Sequence, residues 1–237
     1  MNSQTFDLTE WTQVIQHILQ FEQEGLVTRT FRRLDVKRQQ AIVAAILDEA
    51  IEKGPTAINI KQVARRAGVS VGSLYQYFGN RAGLLNFAIE LCVRYMTDLF
   101  DMSRPELLAL PLRDGLAAYL TVGIEWSQTQ VGLIQFFMRA AYQGDPDLAD
   151  RVVRPIATAM RTIVRDMLVQ AVERGEIRSD VDIEATARVI NAAVIAIGDS
   201  QLLAYLNNYF QVTDRKVSAE RAVKALLTLI MHGIGAE

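Results

Sequence analysis

Apolar side chains recur every three to four residues along almost the whole chain, and no stretch alternates strictly between turn signals. A period of three to four lines the apolar residues along one stripe of a helix, whereas strict alternation would line one face of a strand. The expectation is an all-α protein, with short helices to about residue 80 and a larger helical body beyond. Leu8, Trp11, Ile15, Ile18 and Leu19 predict a helix over 8–24, with Asp7 and Glu10 spaced as a cap and its reciprocal partner. Residues 36–53 turn Val43, Ile46, Leu47, Ala50 and Ile51 inward behind Asp35 as candidate cap, and Gly54-Pro55 stops them. Short helices follow over 60–67, from the cap Asn59 to Gly68, and from Ser70 to about Phe78-Gly79. Asn80 is the candidate cap of a helix from 81 to about 101, and Pro105 and Pro111 mark a loop. Further helices are expected over 112–128, 130–143, 146–174, 182–209 and 218–234, with Asp145, Asp182 and Ser218 as caps. Pro155 predicts a kink or break inside the third of these.

Composition excludes several function classes. Apolar runs such as Ala192 to Ile197 fall far short of the roughly 18 residues a membrane span needs. Residues 1–7 hold no basic stretch leading into an apolar one, so a secretory leader is not expected and the cytoplasm is the expected location. One cysteine, Cys92, allows no internal disulfide framework and no Cys-rich zinc site, and no HExxH is present. His17 and His232 sit near opposite ends and are read as solvated or capping groups. No phosphate-binding glycine loop and no nucleophile elbow occur, so neither an enzyme, a cofactor nor a metal is expected.

Charge is concentrated in one block. The chain holds 25 basic and 27 acidic residues, for a net −2. Residues 1–28 contribute −4, residues 29–85 contribute +6 (ten basic, four acidic), and residues 86–237 contribute −4. A basic segment inside an acidic protein suits a polyanion, although a solvated basic face with no partner is the bland alternative.

Inside that block, residues 59–81 have the spacing of two short helices crossing at a tight turn. Ala64 is small and lets a second helix approach. Gly68, four residues on, supplies a positive φ without a Cβ clash. Val69 fills the space between the helices, Ser70 caps the second, and Leu74, ten residues after Ala64, points back to the core. This is helix-turn-helix spacing, in which the second helix enters a DNA major groove.

At these residues the chain resembles the TetR (tetracycline-repressor-like) family of bacterial transcriptional regulators. The resemblance runs from about Arg38 to Leu85. Its specific pieces are Ile60-Lys-Gln-Val-Ala-Arg-Arg-Ala-Gly-Val-Ser and Gly72-Ser-Leu-Tyr-Gln-Tyr-Phe-Gly-Asn-Arg-Ala-Gly-Leu-Leu85. The rest of the chain matches in style only: long helices, total length and a turn from Gly175 to Asp182. The resemblance implies three parts: an N-terminal extension with an extra helix (1–34), a helix-turn-helix DNA-binding domain (35–85), and a ligand-binding and dimerisation domain (86–237). It also implies a homodimer whose last two long helices form a four-helix bundle across the two-fold axis.

By the same resemblance Asn59, Lys61, Ser73, Tyr75, Tyr77 and Arg81 face phosphates, with Ser70 beside them. Val71, Gly72 and Gln76 sit where bases are read. The chemistry is apt: hydroxyls, an amide and two cations for phosphate, and a Gln able to pair with adenine. Many family members carry Lys where Val71 stands, so one cation is missing here. Tyr77 is equally readable as core, and Arg65 and Arg66 as solvated or phosphate-near groups. Thr28 to Asp35 is either a basic arm reaching a minor groove or a linker whose Phe31 and Leu34 pack on the domain. The Trp11 stripe packs on its own subunit or on a partner.

Tyr119, Trp126, Phe136, Phe137, Tyr142, Met160 and Met167 suit an apolar cavity, with Gln135 and Arg139 able to orient a polar end; ordinary core is the competing reading. Ile190, Val194, Ile197, Leu226, Leu227 and Ile230 are expected at a dimer interface, or else buried within one subunit. The expected function is a homodimeric repressor that binds a roughly palindromic double-stranded DNA operator through helix 71–78 and is released by a small apolar or amphipathic effector. The alternative is a helical interaction module or small-molecule enzyme that does not bind DNA.

Overall fold

The computed structural model describes residues 8–129 and 131–236, and these are helical apart from turns and one isolated bridge between Ile177 and Gly235. The helices are α1 (Leu8–Gln23), α2 (Arg29–Arg32), α3 (Val36–Lys53), α4 (Ile60–Ala67), α5 (Val71–Phe78), α6 (Arg81–Ala109) and α7 (Leu112–Thr129). They continue as α8 (Val131–Gln143), α9 (Pro146–Leu148), α10 (Arg154–Glu173), α11 (Ile183–Leu202), α12 (Ala204–Phe210) and α13 (Ala219–Ile234). Asp35, Asn59, Ser70, Asp145, Asp182 and Ser218 each accept a backbone N–H at a helix start, as their positions predict. Asp7 lies outside the described residues.

Two boundaries differ from expectation. α6 runs through Pro105 to Ala109. Proline removes only the bond to the Asp101 carbonyl, and both residues are exposed, so water can serve that oxygen. At the helix's end, Arg174 Nη1 and Nη2 donate to the Leu108 and Leu110 carbonyls, each at 2.9 Å. The 182–209 helix breaks at Leu203, whose backbone is extended (φ −126°, ψ 101°), into α11 and α12. Pro155 has its predicted effect: a π turn over Ala149–Val153 widens the helix just before it.

The chain packs as two units, Met1–Asp98 with Gln130–Ile156, and Leu99–Thr129 with Ala157–Glu237. Packing thus groups residues 130–156 with the N-terminal residues. In the first unit, Trp11, Phe21, Phe31, Leu74, Phe87 and Phe136 are fully buried. Of the Trp11 stripe, Trp11 and Ile18 pack within their own chain, whereas Ile15 and Leu19 are exposed. His17, expected to be a solvated or capping group, is buried there and its Nε2 pairs with Asp98 at 3.2 Å. In the second unit, Leu116, Tyr119, Val164, Met167, Ile190, Val194 and Leu227 share one core.

Candidate nucleic-acid interface

The crossing of α4 and α5 follows from local chemistry. Gly68 takes the left-handed conformation (φ 66°, ψ 31°), where a Cβ is disfavoured. The Val69 N–H then donates to the Ala64 carbonyl at 3.0 Å, and Ser70 Oγ accepts the Ser73 N–H at 2.9 Å to start α5. Val63, Ala64 and Leu74 are buried between the helices. At the far end of α5, Gly83 meets the Phe78 carbonyl so closely that a Cβ there would lie 2.0 Å from the oxygen. Asn80 Oδ1 accepts the Gly83 N–H at 2.9 Å, capping α6.

The expected DNA-facing residues divide by exposure. Asn59, Lys61, Ser70, Gly72, Tyr75 and Gln76 are exposed, with Tyr75 at 44%, and Val71 and Ser73 are half-buried. Asn59 Oδ1 accepts the Lys61 N–H at 3.0 Å, and Ser70 and Ser73 hydroxyls lie 2.9 Å apart. Tyr77 is only 7% exposed, its ring 5.8 Å from Phe31, so it belongs to the core. Arg81 turns inward to its own chain: Nε donates to the Ile58 carbonyl at 2.9 Å and Nη2 to the Thr56 carbonyl. These two bonds engage Nε and Nη2 within the chain, while the residue itself is exposed. Arg66 pairs with Glu52 at 2.7 Å and Glu49 at 3.5 Å on α3, and is likewise occupied. Lys37, Arg38, Lys61 and Arg65 are exposed and pair with no carboxylate among the described residues.

Thr28 to Asp35 takes the linker form. Residues 29–32 make a helical turn, Phe31 is fully buried against Tyr77, Phe78 and Phe87, and Leu34 is half-buried. Gln39, which the sequence did not flag, is buried and donates from Nε2 to the Phe31 and Arg32 carbonyls at 3.2 and 3.1 Å.

The aromatic and methionine set is distributed over both units. Phe136 is buried and Phe137 half-buried in the first unit, where Arg139 and Tyr142 are exposed; Tyr119 and Met167 are buried and Met160 half-buried in the second. The Trp126 side chain lies outside the described residues. Burial pushes the Tyr119 hydroxyl's pKa up, and its oxygen has no hydrogen-bond partner among the described residues. Asn191 Oδ1 on α11, a helix packed against α7, also has no hydrogen-bond partner among the described residues, and no sequence signal marked it. Of the expected interface residues, Ile190, Val194, Ile197 and Leu227 are buried in the subunit's own core, and Leu226 and Ile230 are half-buried against it. Val189 and Leu229, one stripe away, are the exposed apolar residues of α11 and α13.

Among the described residues, no three His, Cys, Asp or Glu side chains gather to hold a metal, and no helix is long and apolar enough to cross a membrane.

Two family models match the chain. Bacterial regulatory proteins of the tetR family match residues 42–87, and the tetracyclin repressor-like C-terminal domain matches 111–197. The uncharacterized HTH-type transcriptional regulator YdeS of Bacillus subtilis is 22% identical over 199 residues, covering 82% of this chain and 97% of YdeS. The HTH-type transcriptional regulator BetI of Klebsiella pneumoniae is 38% identical over 98 residues, covering 40% of this chain and 47% of BetI, so the match spans about half of that relative. The structure of the transcriptional regulator FadR from Bacillus subtilis, in complex with stearoyl-CoA, superposes with a TM-score of 0.61 at 19% identity, covering 82% of this chain and 98% of FadR. The helix-turn-helix geometry and both family matches agree: this chain belongs to the TetR family of bacterial transcriptional regulators.

Proposed function

We propose that the protein is a homodimeric, ligand-responsive repressor that binds a roughly palindromic operator with one α5 in each half-site. The carrying observation is the outward face of α5: Gly72, Tyr75 and Gln76 are exposed on a two-turn helix capped at Ser70, with exposed Lys61 on α4. Lys61, Tyr75 and the Asn59 and Ser73 groups hold phosphates, while Gln76 reads a base edge with Gly72 and Val71 against the groove floor. DNA binding belongs to residues 35–85, and effector binding and dimerisation to 86–237. The protein acts in the cytoplasm, on double-stranded DNA, and no catalysis is assigned to it.

The effector is apolar or amphipathic. Its apolar part suits the core around Met167, and its polar end suits the buried Tyr119 hydroxyl and Asn191 Oδ1. FadR, with its bound stearoyl-CoA, supports an amphipathic class.

Selection of random duplex DNA by the purified protein, followed by a salt titration on the winner, tests this reading. An inverted repeat with a steep loss of affinity in salt is the expected result. Gln76→Ala then relaxes preference at one position, while Tyr75→Phe and Lys61→Ala weaken all sequences alike. No enrichment by a folded dimer, with or without added fatty acyl compounds, overturns it.

A further inference from the structure

An α-helix leaves its last four carbonyls without an intrahelical partner. In α5 those belong to Tyr75, Gln76, Tyr77 and Phe78, and all four are satisfied. The Gly79 N–H donates to Tyr75 O at 2.8 Å and the Asn80 N–H to Phe78 O at 2.9 Å, both from the chain's own continuation. The middle two are held by one residue far away in sequence. Thr28 Oγ donates to the Gln76 carbonyl at 2.8 Å, and the Thr28 N–H donates to the Tyr77 carbonyl at 3.0 Å.

Thr28 occupies the N-cap position of α2, where a threonine hydroxyl ordinarily accepts a backbone N–H of its own helix. Here it makes no such cap bond, and its hydroxyl donates to α5. The residue is itself held from three sides. Phe31, one turn on, packs at 5.1 Å from Phe78 and 5.6 Å from Phe87. Gln39 of α3 binds the carbonyls that close α2. The end of α1 is fixed to α6 by Arg94, which pairs two-pronged with Glu24 just after the helix and sets its guanidinium 4.8 Å from the Phe21 ring centre. Two turns of helix have little stability of their own, so the direction of α5 is set by what holds its ends. Its start is held by the Gly68–Ser70 turn, and its finish by Thr28.

We propose that Thr28 is a positioning residue for DNA recognition, and that the N-terminal extension is a brace for the recognition helix. By pinning the Gln76 carbonyl, Thr28 fixes the backbone of the residue whose side chain reads a base. The inference rests on α5 as the DNA-reading helix, and the experiment separates the two.

Full-length Thr28→Val keeps the shape and the backbone N–H but loses the hydroxyl donor; Thr28→Ser keeps the donor. For each, affinity is measured for the selected duplex and for a scrambled one, and amide exchange is followed through residues 76–80. The expected result for Thr28→Val is about a fivefold fall in the ratio of the two affinities, the scale of one lost hydrogen bond. Exchange in the last turn of α5 quickens, and Thr28→Ser restores both. A loss of folded protein alone would lower both affinities equally and leave the ratio unchanged. An unchanged ratio in Thr28→Val overturns the proposal. If the natural protein itself shows no preference among duplexes, the DNA reading has failed, and the brace is then judged by exchange alone: unchanged protection in Thr28→Val overturns it too.

Discussion

Arg81 Nε donates to the carbonyl oxygen of Ile58 at 2.9 Å, clipping the start of α6 to the turn that leads into α4. Its Nη2 takes the Thr56 carbonyl in the same turn. Hydrogen bonds from a charged donor contribute about 1.5–3 kcal/mol, less where solvent competes. Arg81→Ala is therefore expected to destabilise the protein by about 1–2 kcal/mol in urea unfolding. Its effect on DNA binding comes through a displaced α4, so the salt slope stays at the natural value. A phosphate-binding Arg81 would instead lower that slope by about one.

Gly83 allows the closest approach in the domain. A Cβ at this position would stand 2.0 Å from the Phe78 carbonyl oxygen, a backbone atom that moves only if α5 moves. Gly83→Ala should cost about 2 kcal/mol, in the range of overpacked sites. It should also impair operator binding more than its stability loss explains. Gly72→Ala is the control for stability, since its new Cβ meets only Ser70 Oγ, at 3.6 Å. Equal melting temperatures for the two variants would refute the steric argument.

The helix-turn-helix was legible because its signals are local. Gly68, Ser70 and Leu74 act through their own turn, and each does in the structure what its spacing predicts. Arg81 and Thr28 were not legible in this way, because their partners lie 25 and 48 residues away, and a cation or hydroxyl looks the same whether it faces phosphate or a carbonyl. The break at Leu203 has no glycine or proline to announce it. Arg174, which closes α6 from 66 residues away, is the same kind of long-range cap. Buried and exposed apolar stripes on α11 are separated by a single residue, Val189 against Ile190, which periodicity alone does not resolve.

Arg94 holds the Glu24 carboxyl below the usual carboxylate range through their hydrogen bond. The unfolded chain therefore binds this proton more tightly than the folded one. The pair's stabilisation is full above the unfolded-state pKa of about 4.3 and is lost as pH falls through the lower folded value. Glu24→Gln should flatten the acid limb of a stability-against-pH curve while leaving slower changes at neutral pH. Asp48 runs the other way, because burial raises its pKa and acid relieves that cost. An unaltered acid limb in Glu24→Gln would show that the pair carries no pH dependence.

Glu49 is 1% exposed, and neither of its oxygens has a hydrogen-bond partner among the described residues; its charge is balanced by Arg66 at 3.5 Å. Removing one member of such a pair leaves a buried charge uncompensated. Arg66→Ala is expected to cost about 2 kcal/mol, discounted for the partial exposure of Arg66. Glu49→Leu with Arg66→Met should recover most of that loss, since the desolvation cost disappears with both charges. A double variant no more stable than Arg66→Ala would count against this account.

The same logic of stripes selects a surface for the proposed dimer. α11 buries Ala187, Ile190, Val194 and Ile197, and α13 buries Val223 and Leu227, all in the subunit's own core. The neighbouring stripes leave Val189 70% and Leu229 73% exposed, a high exposure for two large apolar side chains on adjacent helices. Apposing them across a two-fold axis removes that surface from water without disturbing either core. Val189→Glu with Leu229→Glu should yield a folded monomer in sedimentation at micromolar concentration. Ile190→Ala should do the opposite, lowering stability by about 2–4 kcal/mol through a cavity while the protein stays dimeric. A dimer that survives both glutamates would place the two-fold contact elsewhere on the subunit.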